Sequence, residues 1–317
     1  MLLRLGSRGS RLALTQASLA AELLRWPGRE IALVPITTAG DRDRRSPFGQ
    51  IGERGVFVKE LEEALLEGRI DAAVHSAKDM TSTDTAGLVV GAYLPRDDPR
   101  DALCGAGGLR SGMRIGTASV RRRAQLLVLE PELVIEPLRG NIDTRLRKRG
   151  ERGLDAVVLA ACGLDRLGLA HEVGHRFDPG ELLPEAGQGA LALQVRAGEE
   201  ELVAVADDAE TRRRVDAERT CVAAVGGGCL APVAAHHDGA VLVGLVADED
   251  GRWIERRSRQ SAAVASHLLR HSTMAPRSRV SWPRRTAAGS NGEHPTTRPR
   301  SVASSPRSHG EDGVRTG

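Results

Sequence analysis

Phe, Trp and Tyr together make up only 2% of the 317 residues, so any core has to be filled by Leu, Val and Ala. Cysteine is sparse as well. Cys104, Cys162, Cys221 and Cys229 contain no C-x-x-C pair, and none of the nine His stands at metal-ligand spacing beside a cysteine, which argues against a zinc site and against a disulfide scaffold. So few thiols in so long a chain fit a reducing compartment. No apolar run approaches the roughly 20 residues that a membrane span needs. At the amino-terminus, Arg4, Arg8 and Arg11 interrupt "MLLRLGSRGSRLAL", unlike the apolar stretch of a signal peptide. These absences lead us to expect a cytoplasmic protein with no membrane partner and no metal.

What is present includes enough apolar material, 40% of residues, for more than one core, and the length predicts two or three domains. The net charge of +3 hides an uneven distribution. Residues 258–317 hold ten Arg against three acids, a net +7, which leaves −4 for the rest of the chain. The end of the chain is rich in Ser, Pro and Arg and has no apolar period, so residues 261–317 are expected to be a disordered basic tail. A basic arm can bind nucleic acid, but without aromatics interleaved for base stacking no nucleic-acid partner is expected.

Along the body one pattern returns: a short apolar strand, a turn of small polar residues, then a helix. "LLRL" runs through "GSRGS" into a helix through Leu14, Ala17, Ala21 and Leu24; "IDAAVHS" runs into "AKDM"; "MRIGT" leads to "ASVRRRAQLLVLE", with Ser119 as N-cap. "LVIEPL" leads to "RGNIDTRLRK", with Asp143 near the helix start, and "LDAVVLA" leads to "ACGLDRLGL". "VFVKELEEALLEG" sets Phe57, Leu61 and Leu65 on one helical stripe and stops at Gly68, a natural residue to follow a helix. Strands alternating with helices predict α/β domains with largely parallel sheets.

In such sheets ligands bind beyond the carboxyl ends of the strands, where helix N-termini favour anions. The residues predicted there are Arg8 and Ser10, Lys78 and Asp79, Ser119 with Arg121 and Arg122, Arg139 and Arg145, and Arg166. Each arginine taken singly is most simply a solvated charge. Together, converging around one carboxylate, they suit a ligand bearing many carboxylates or phosphates. His75, alternating with Val74 on its strand, reads as a packed core histidine. "GQGALA" (187–192) matches a dinucleotide fingerprint but follows no strand, and is set aside. Residues 41–55 form a long polar loop that reads as a lid. "AVGGGCLAP" (224–232) holds a thiol, Cys229, on a bare glycine loop, where it is either incidental or a nucleophile or tether.

The stretches "SRGSRLAL", "GERGVFVKELEEALL", "DAAVHSAKDM", "RDDPRDAL", "GTASVRRRAQL", "LRGNIDTRL", "ACGLDRLGL", "LPEAGQGAL" and "ERTCVAAVGGGCLAPVA" resemble one family, the porphobilinogen deaminases (hydroxymethylbilane synthases), in that family's order and over residues 2–257. The resemblance implies two lobes like those of type II periplasmic binding proteins, with the chain crossing between them twice, and a small α+β third domain. The expected boundaries are 1–94 with 190–207, 95–189, and 208–260. It also implies a dipyrromethane cofactor joined by a thioether to a cysteine. The implied reaction condenses four porphobilinogen molecules head to tail, with loss of ammonia, to the linear tetrapyrrole hydroxymethylbilane, in a monomeric enzyme. Carried over position by position, Cys229 is the cofactor cysteine and Asp79 the catalytic carboxylate. Lys78, Ser119, Arg121, Arg122, Ser10 and Gln188 fall at cofactor-binding positions. Arg8, Arg139, Arg145, Arg166 and Phe57 fall at substrate-binding ones.

The physics of such a ligand agrees. Each pyrrole unit carries an acetate and a propionate, so a growing chain needs many fixed cations. Loss of ammonia leaves an azafulvenium cation, which a carboxylate such as Asp79 would stabilise. Glycines 226–228 would let the backbone approach a tethered chromophore. The competing reading is a two-lobed binding protein for an organic polyanion, which would need neither a tethering thiol nor a cation-stabilising acid. Three departures from the family pattern stand out: Ala231 replaces a β-branched residue, Cys221 adds a second thiol on an apolar helix position, and after Gln260 the chain offers only "SAAVASHLLR" where a closing helix of the third domain is expected.

Overall fold

The alternation in "LLRLGSR" produces β1 (Leu2–Arg8), whose Leu3 and Leu5 are fully buried, and Ser10 then caps α1 (Arg11–Leu23) by accepting from the Ala13 amide at 3.3 Å. Gln16, Ala17, Ala20 and Ala21 form the buried face of α1, and its three alanines pack over Leu3, Leu5 and Val74. β2 (Glu30–Ile36), β3 (Ala72–Ser76), β4 (Leu88–Tyr93) and β10 (Leu191–Arg196) complete a first sheet in the order β2-β1-β3-β10-β4, with α2 (Lys59–Leu66) beside it. Gly68 follows α2 at φ +69°, as its place in the sequence predicts. The computed structural model describes residues 1–36, 58–80, 85–225 and 232–248 and the backbone of 254–260. All of these belong to one unit of the fold, Met1–Ser278. Phe57, the loop at 41–55, Cys229 and the tail at 261–317 lie outside the described residues.

A second sheet repeats the first. β5 (Asp101–Cys104), β6 (Arg114–Gly116), β7 (Val134–Glu136), β8 (Ala156–Ala160) and β9 (Val173–Arg176) stand in the order β7-β6-β8-β5-β9. The helices are α3 (Val120–Leu129), α4 (Ile142–Glu151) and α5 (Ala161–Arg166), and Ser119 caps α3 through the Arg122 amide at 3.4 Å. One face of the sheet buries Leu103, Ile115, Leu126, Val158 and Phe177; the other buries Leu138, Val157, Leu159 and Leu164. In both sheets the fourth strand arrives from the other lobe and runs antiparallel to its two neighbours, while the strands before it are parallel. The sheets are therefore mixed, not largely parallel, because the direction of β5 and β10 is set by the crossovers. The shared order bears out the expected pair of type II periplasmic-binding-protein-like lobes. Leucine, valine and alanine fill the cores, with Tyr93 the largest fully buried side chain among the described residues.

The third part is α+β: α6 (Ala209–Ala224), capped by Asp208, and an antiparallel sheet of β11 (Val233–His237), β12 (Val241–Ala247) and β13 (Ile254–Gln260). It touches both lobes. Val215 of α6 packs with Ala77, Met80, Tyr93 and Ala190, and Ala234, Leu245 and Ala247 pack with Ala124 and Leu183.

The two crossovers, residues 94–100 and 184–190, run side by side: the Leu94 amide donates to the Leu191 carbonyl at 3.0 Å and Asp97 to Gly189 at 3.2 Å. Gly189 (φ +94°) makes this approach possible, since a Cβ there would meet the Asp97 carbonyl oxygen at 2.5 Å. At the middle of the buried stripe of α6 stands a fully buried acid, Glu218. Its Oε1 accepts from Arg96 Nη1 at 2.7 Å and the His237 amide at 2.8 Å, and its Oε2 accepts from Arg96 Nη2 at 3.1 Å and the Gly187 amide at 2.8 Å. Burial alone would raise its pKa, yet His236 and Arg96 hold it below the usual carboxylate range. Thus one carboxylate of the third part binds both crossovers.

Two outcomes follow from these packed polar groups. Glu218→Gln leaves the Arg96 guanidinium without its counter-charge and should cost about 3–5 kcal/mol of stability in denaturant unfolding; an unchanged midpoint would contradict this role. His75 is buried with Nε2 3.0 Å from Gln194 Oε1, and burial pushes its pKa down to about 4. The unfolded chain therefore takes up the His75 proton first, so its contribution is complete above pH 6.5 and declines as pH falls toward 4, by up to about 3 kcal/mol. His75→Gln should flatten stability between pH 6.5 and 4.5; an unchanged slope would exclude His75 as its source.

Candidate active site

Register places the carboxyl ends of β3 and β8 against the crossovers, with Ser76 opposite Leu191 and Ala160 opposite Asp101. β3 ends in a single 3-10 turn, Ala77–Asp79, on which Lys78 and Asp79 are both half-buried. Gly187 (φ +74°) lets the second crossover lie on this turn, since a Cβ there would stand 3.0 Å from Ala77 Cβ and 3.2 Å from the Lys78 nitrogen. Lys78 Nζ donates to Gln188 Oε1 at 3.3 Å. Gln188, fully buried, in turn donates to the Pro99 carbonyl at 2.7 Å and to Asp101 Oδ1 at 3.0 Å.

Asp101, the first residue of β5, is fully buried and accepts from two arginines of the first turn of α3. Arg121 Nη1 donates to its Oδ2 at 2.9 Å and to the Leu183 carbonyl at 2.7 Å. Arg122 donates to its Oδ1 from Nε at 3.0 Å and from Nη2 at 2.8 Å, and from Nη1 to the Val158 carbonyl at 3.0 Å. Burial would raise the Asp101 pKa, but the charges of Arg121 and Arg122 and the bonds from Arg121 and Gln188 hold the carboxyl far below the usual range. Arg121 Nε and Nη2, by contrast, are buried without a hydrogen-bond partner among the described residues.

Arg145, in the first turn of α4, donates to the Gly140 carbonyl at 2.6 Å. Burial, reinforced by the like charges of Arg122 and Arg139, lowers its pKa to about 10, while the Asp79 carboxylate acts in the opposite direction. Asp79 of the first lobe and Arg145, Arg122 and Arg139 of the second therefore share one electrostatic environment. Ser10 and Ser119 use their hydroxyl oxygens as helix caps. Arg8 and Arg139 are half-buried at the ends of β1 and β7. Arg166 is turned onto the crossovers: its side chain is 5% exposed, with Nε 2.8 Å from Asp97 Oδ2 and Nη2 donating to the Gly189 carbonyl at 2.7 Å. Two of the described thiols, Cys104 and Cys221, are poor nucleophiles. Cys221 is buried in α6, and burial pushes both it and Cys104 up to about 11.

Sequence reasoning passed over Asp101, Asp97, Arg96 and Glu218. The signal was present in "RDDPRDAL", where Asp101 opens a strand whose other residues are apolar, and in "ERTC", where Glu218 sits three residues from Cys221 and Val215 on the apolar stripe of a helix.

Against known proteins, residues 3–204 match the family model described as "Porphobilinogen deaminase, dipyromethane cofactor binding domain". The chain is 48% identical over 263 residues to the porphobilinogen deaminase of Syntrophotalea carbinolica, covering 78% of this chain and 84% of that one. It is 44% identical over 273 residues to that of Roseiflexus sp. strain RS-1 (82% and 90% covered), and 43% identical over 272 residues to that of Bacillus velezensis (81% and 87%). Among solved structures, a TRAP periplasmic solute binding protein from Ralstonia eutropha H16 aligns at 12% identity and a TM-score of 0.38, over 68% of this chain and 80% of that one. With its family model matched over most of both lobes and relatives this close, the chain belongs to the porphobilinogen deaminase family.

Proposed function

We propose that the chain condenses four porphobilinogen molecules head to tail, releasing ammonia at each addition, to give hydroxymethylbilane, with Asp79 as the catalytic carboxylate and Cys229 as the tether of the dipyrromethane cofactor. The observation that carries the residue roles is the meeting of the Lys78–Asp79 turn with the Asp101, Arg121 and Arg122 cluster through Gln188. The cofactor fits this site. Arg121 keeps two buried donors without partners among the described residues, the feature a ligand carboxylate would satisfy. Lys78 and Arg121 would hold its acid groups, with Arg122, Gln188, Ser10 and Ser119 forming the surrounding wall. When bound, the cofactor supplies the pyrrole end to which substrate units are joined.

The chain's own residues do the rest. Arg8, Arg139 and Arg145 bind the acetate and propionate of incoming substrate, a role that the family match extends to Phe57. Arg166 joins them by exchanging its bonds to Asp97 and Gly189. Asp79 stabilises the cation left when ammonia departs from porphobilinogen and moves protons between reacting pyrroles, tasks that suit a carboxylate in a field set by Arg145. We assign the domains as 1–94 with 190–207, 95–189, and 208–260, in keeping with sheet membership. The enzyme works in the cytoplasm as a monomer, a reading supported by the free, buried Cys104, Cys162 and Cys221 and by a site assembled within one chain. Among the described residues no helix is long and apolar enough to cross a membrane.

Asp79→Asn keeps the shape of the side chain and removes the charge that the transition state requires. Turnover of porphobilinogen should fall by roughly 10²-fold or more at unchanged folding. Turnover near the wild-type rate would overturn the assignment of Asp79.

A further inference from the structure

The cluster around Asp101 is unevenly charged. Two guanidiniums, Arg121 and Arg122, 3% and 5% exposed, share one carboxylate, and Asp101 is the only acid bonded to either among the described residues. The two arginines are also used differently. Arg122 has a partner at each nitrogen, Asp101 at two and the Val158 carbonyl at the third. Arg121 is held at Nη1 alone, by Asp101 Oδ2 and the Leu183 carbonyl. Those two bonds from one nitrogen hold the plane of the guanidinium and leave Nε and Nη2, the two donors of one edge, buried and without partners among the described residues. An arginine edge of this kind matches a carboxylate in bidentate fashion, provided the guanidinium cannot rotate.

Asp101 has a third partner, Gln188, which donates from Nε2, and Gln188 Oε1 accepts from Lys78. The same carboxylate therefore orients a cationic wall of the second lobe and, through a buried amide, the lysine beside Asp79 in the first. Charge balance alone would not need this geometry, because an acid anywhere beside the pair would offset one of the two charges.

Resting on the reading given above, we infer that Asp101 is a positioning residue: it aims the free edge of Arg121, and Lys78 through Gln188, at the acid groups of the tethered cofactor, and so controls how readily the chain is loaded. Its action is on the arginine and the amide; it does not itself touch the ligand.

The test uses the full-length wild type, Asp101→Asn and Asp101→Glu. Intact mass after denaturation gives the fraction carrying two linked pyrrole units, and added hydroxymethylbilane gives the rate at which the unloaded remainder gains mass, each normalised to the folded fraction by circular dichroism. Asp101→Glu is decisive, because it keeps the compensating charge and displaces it by one methylene. It should load slower than wild type by on the order of tenfold per folded molecule, as expected when a supporting residue is moved, and Asp101→Asn, where it folds, should load slower still. A glutamate variant that loads at the wild-type rate overturns the inference and leaves Asp101 as a structural counter-ion only. A wild type that carries no added mass, either as purified or after hydroxymethylbilane is supplied, overturns the tethering reading and this inference with it.

Discussion

Everything near the candidate site hangs on two carboxylates buried where the chain passes between lobes. Glu218 reaches from the third part to both crossovers, and Asp101 gathers Arg121, Arg122 and Gln188 at the entrance to the second sheet. A buried acid tolerates this only because each is held ionised by arginines and amides. Removing either would leave desolvated cations behind, so the crossovers are fixed in place by the same charges that line the site.

The arrangement explains how one site can collect so much positive charge without pushing the lobes apart. Ion pairs dispose of part of it: Asp97 takes Arg166, Asp98 takes Arg100 and Arg176, and Asp101 takes the pair on α3. Arg145, half-buried, keeps a surplus: desolvation and the like charges of Arg122 and Arg139 lower its pKa. A ligand bearing an acetate and a propionate on every ring is the chemistry that such a surplus favours, and in the proposed reading Asp79 opposes the cation that would form.

Much of this was legible in the sequence. The strand–turn–helix pattern, Ser119 as a cap, Gly68 after its helix and the core placement of His75 depend on neighbours a few residues away, and local physics decides them. The antiparallel strands were not legible, because the direction of β5 and β10 depends on where a crossover enters from the other lobe. Nor were the partners of the arginines. In "RDDPRDAL" every charge looks like a solvated turn residue, and only the packing of α3, α5 and α6 around the crossovers gives Asp101, Asp97 and Arg96 their partners and buries Asp101. The same packing turns Arg166 from a strand-end cation into a brace against Gly189.

The central claim is that these charges serve a polycarboxylate joined covalently to the chain at Cys229. Intact mass of the denatured wild type and of Cys229→Ser tests it most directly. The account predicts a wild type heavier than its sequence by two linked pyrrole units, an excess that survives denaturation because a thioether is covalent, and a serine variant of unmodified mass, since an alcohol is a far weaker nucleophile than a thiolate. An unmodified wild type, or a serine variant that keeps the excess, would contradict it.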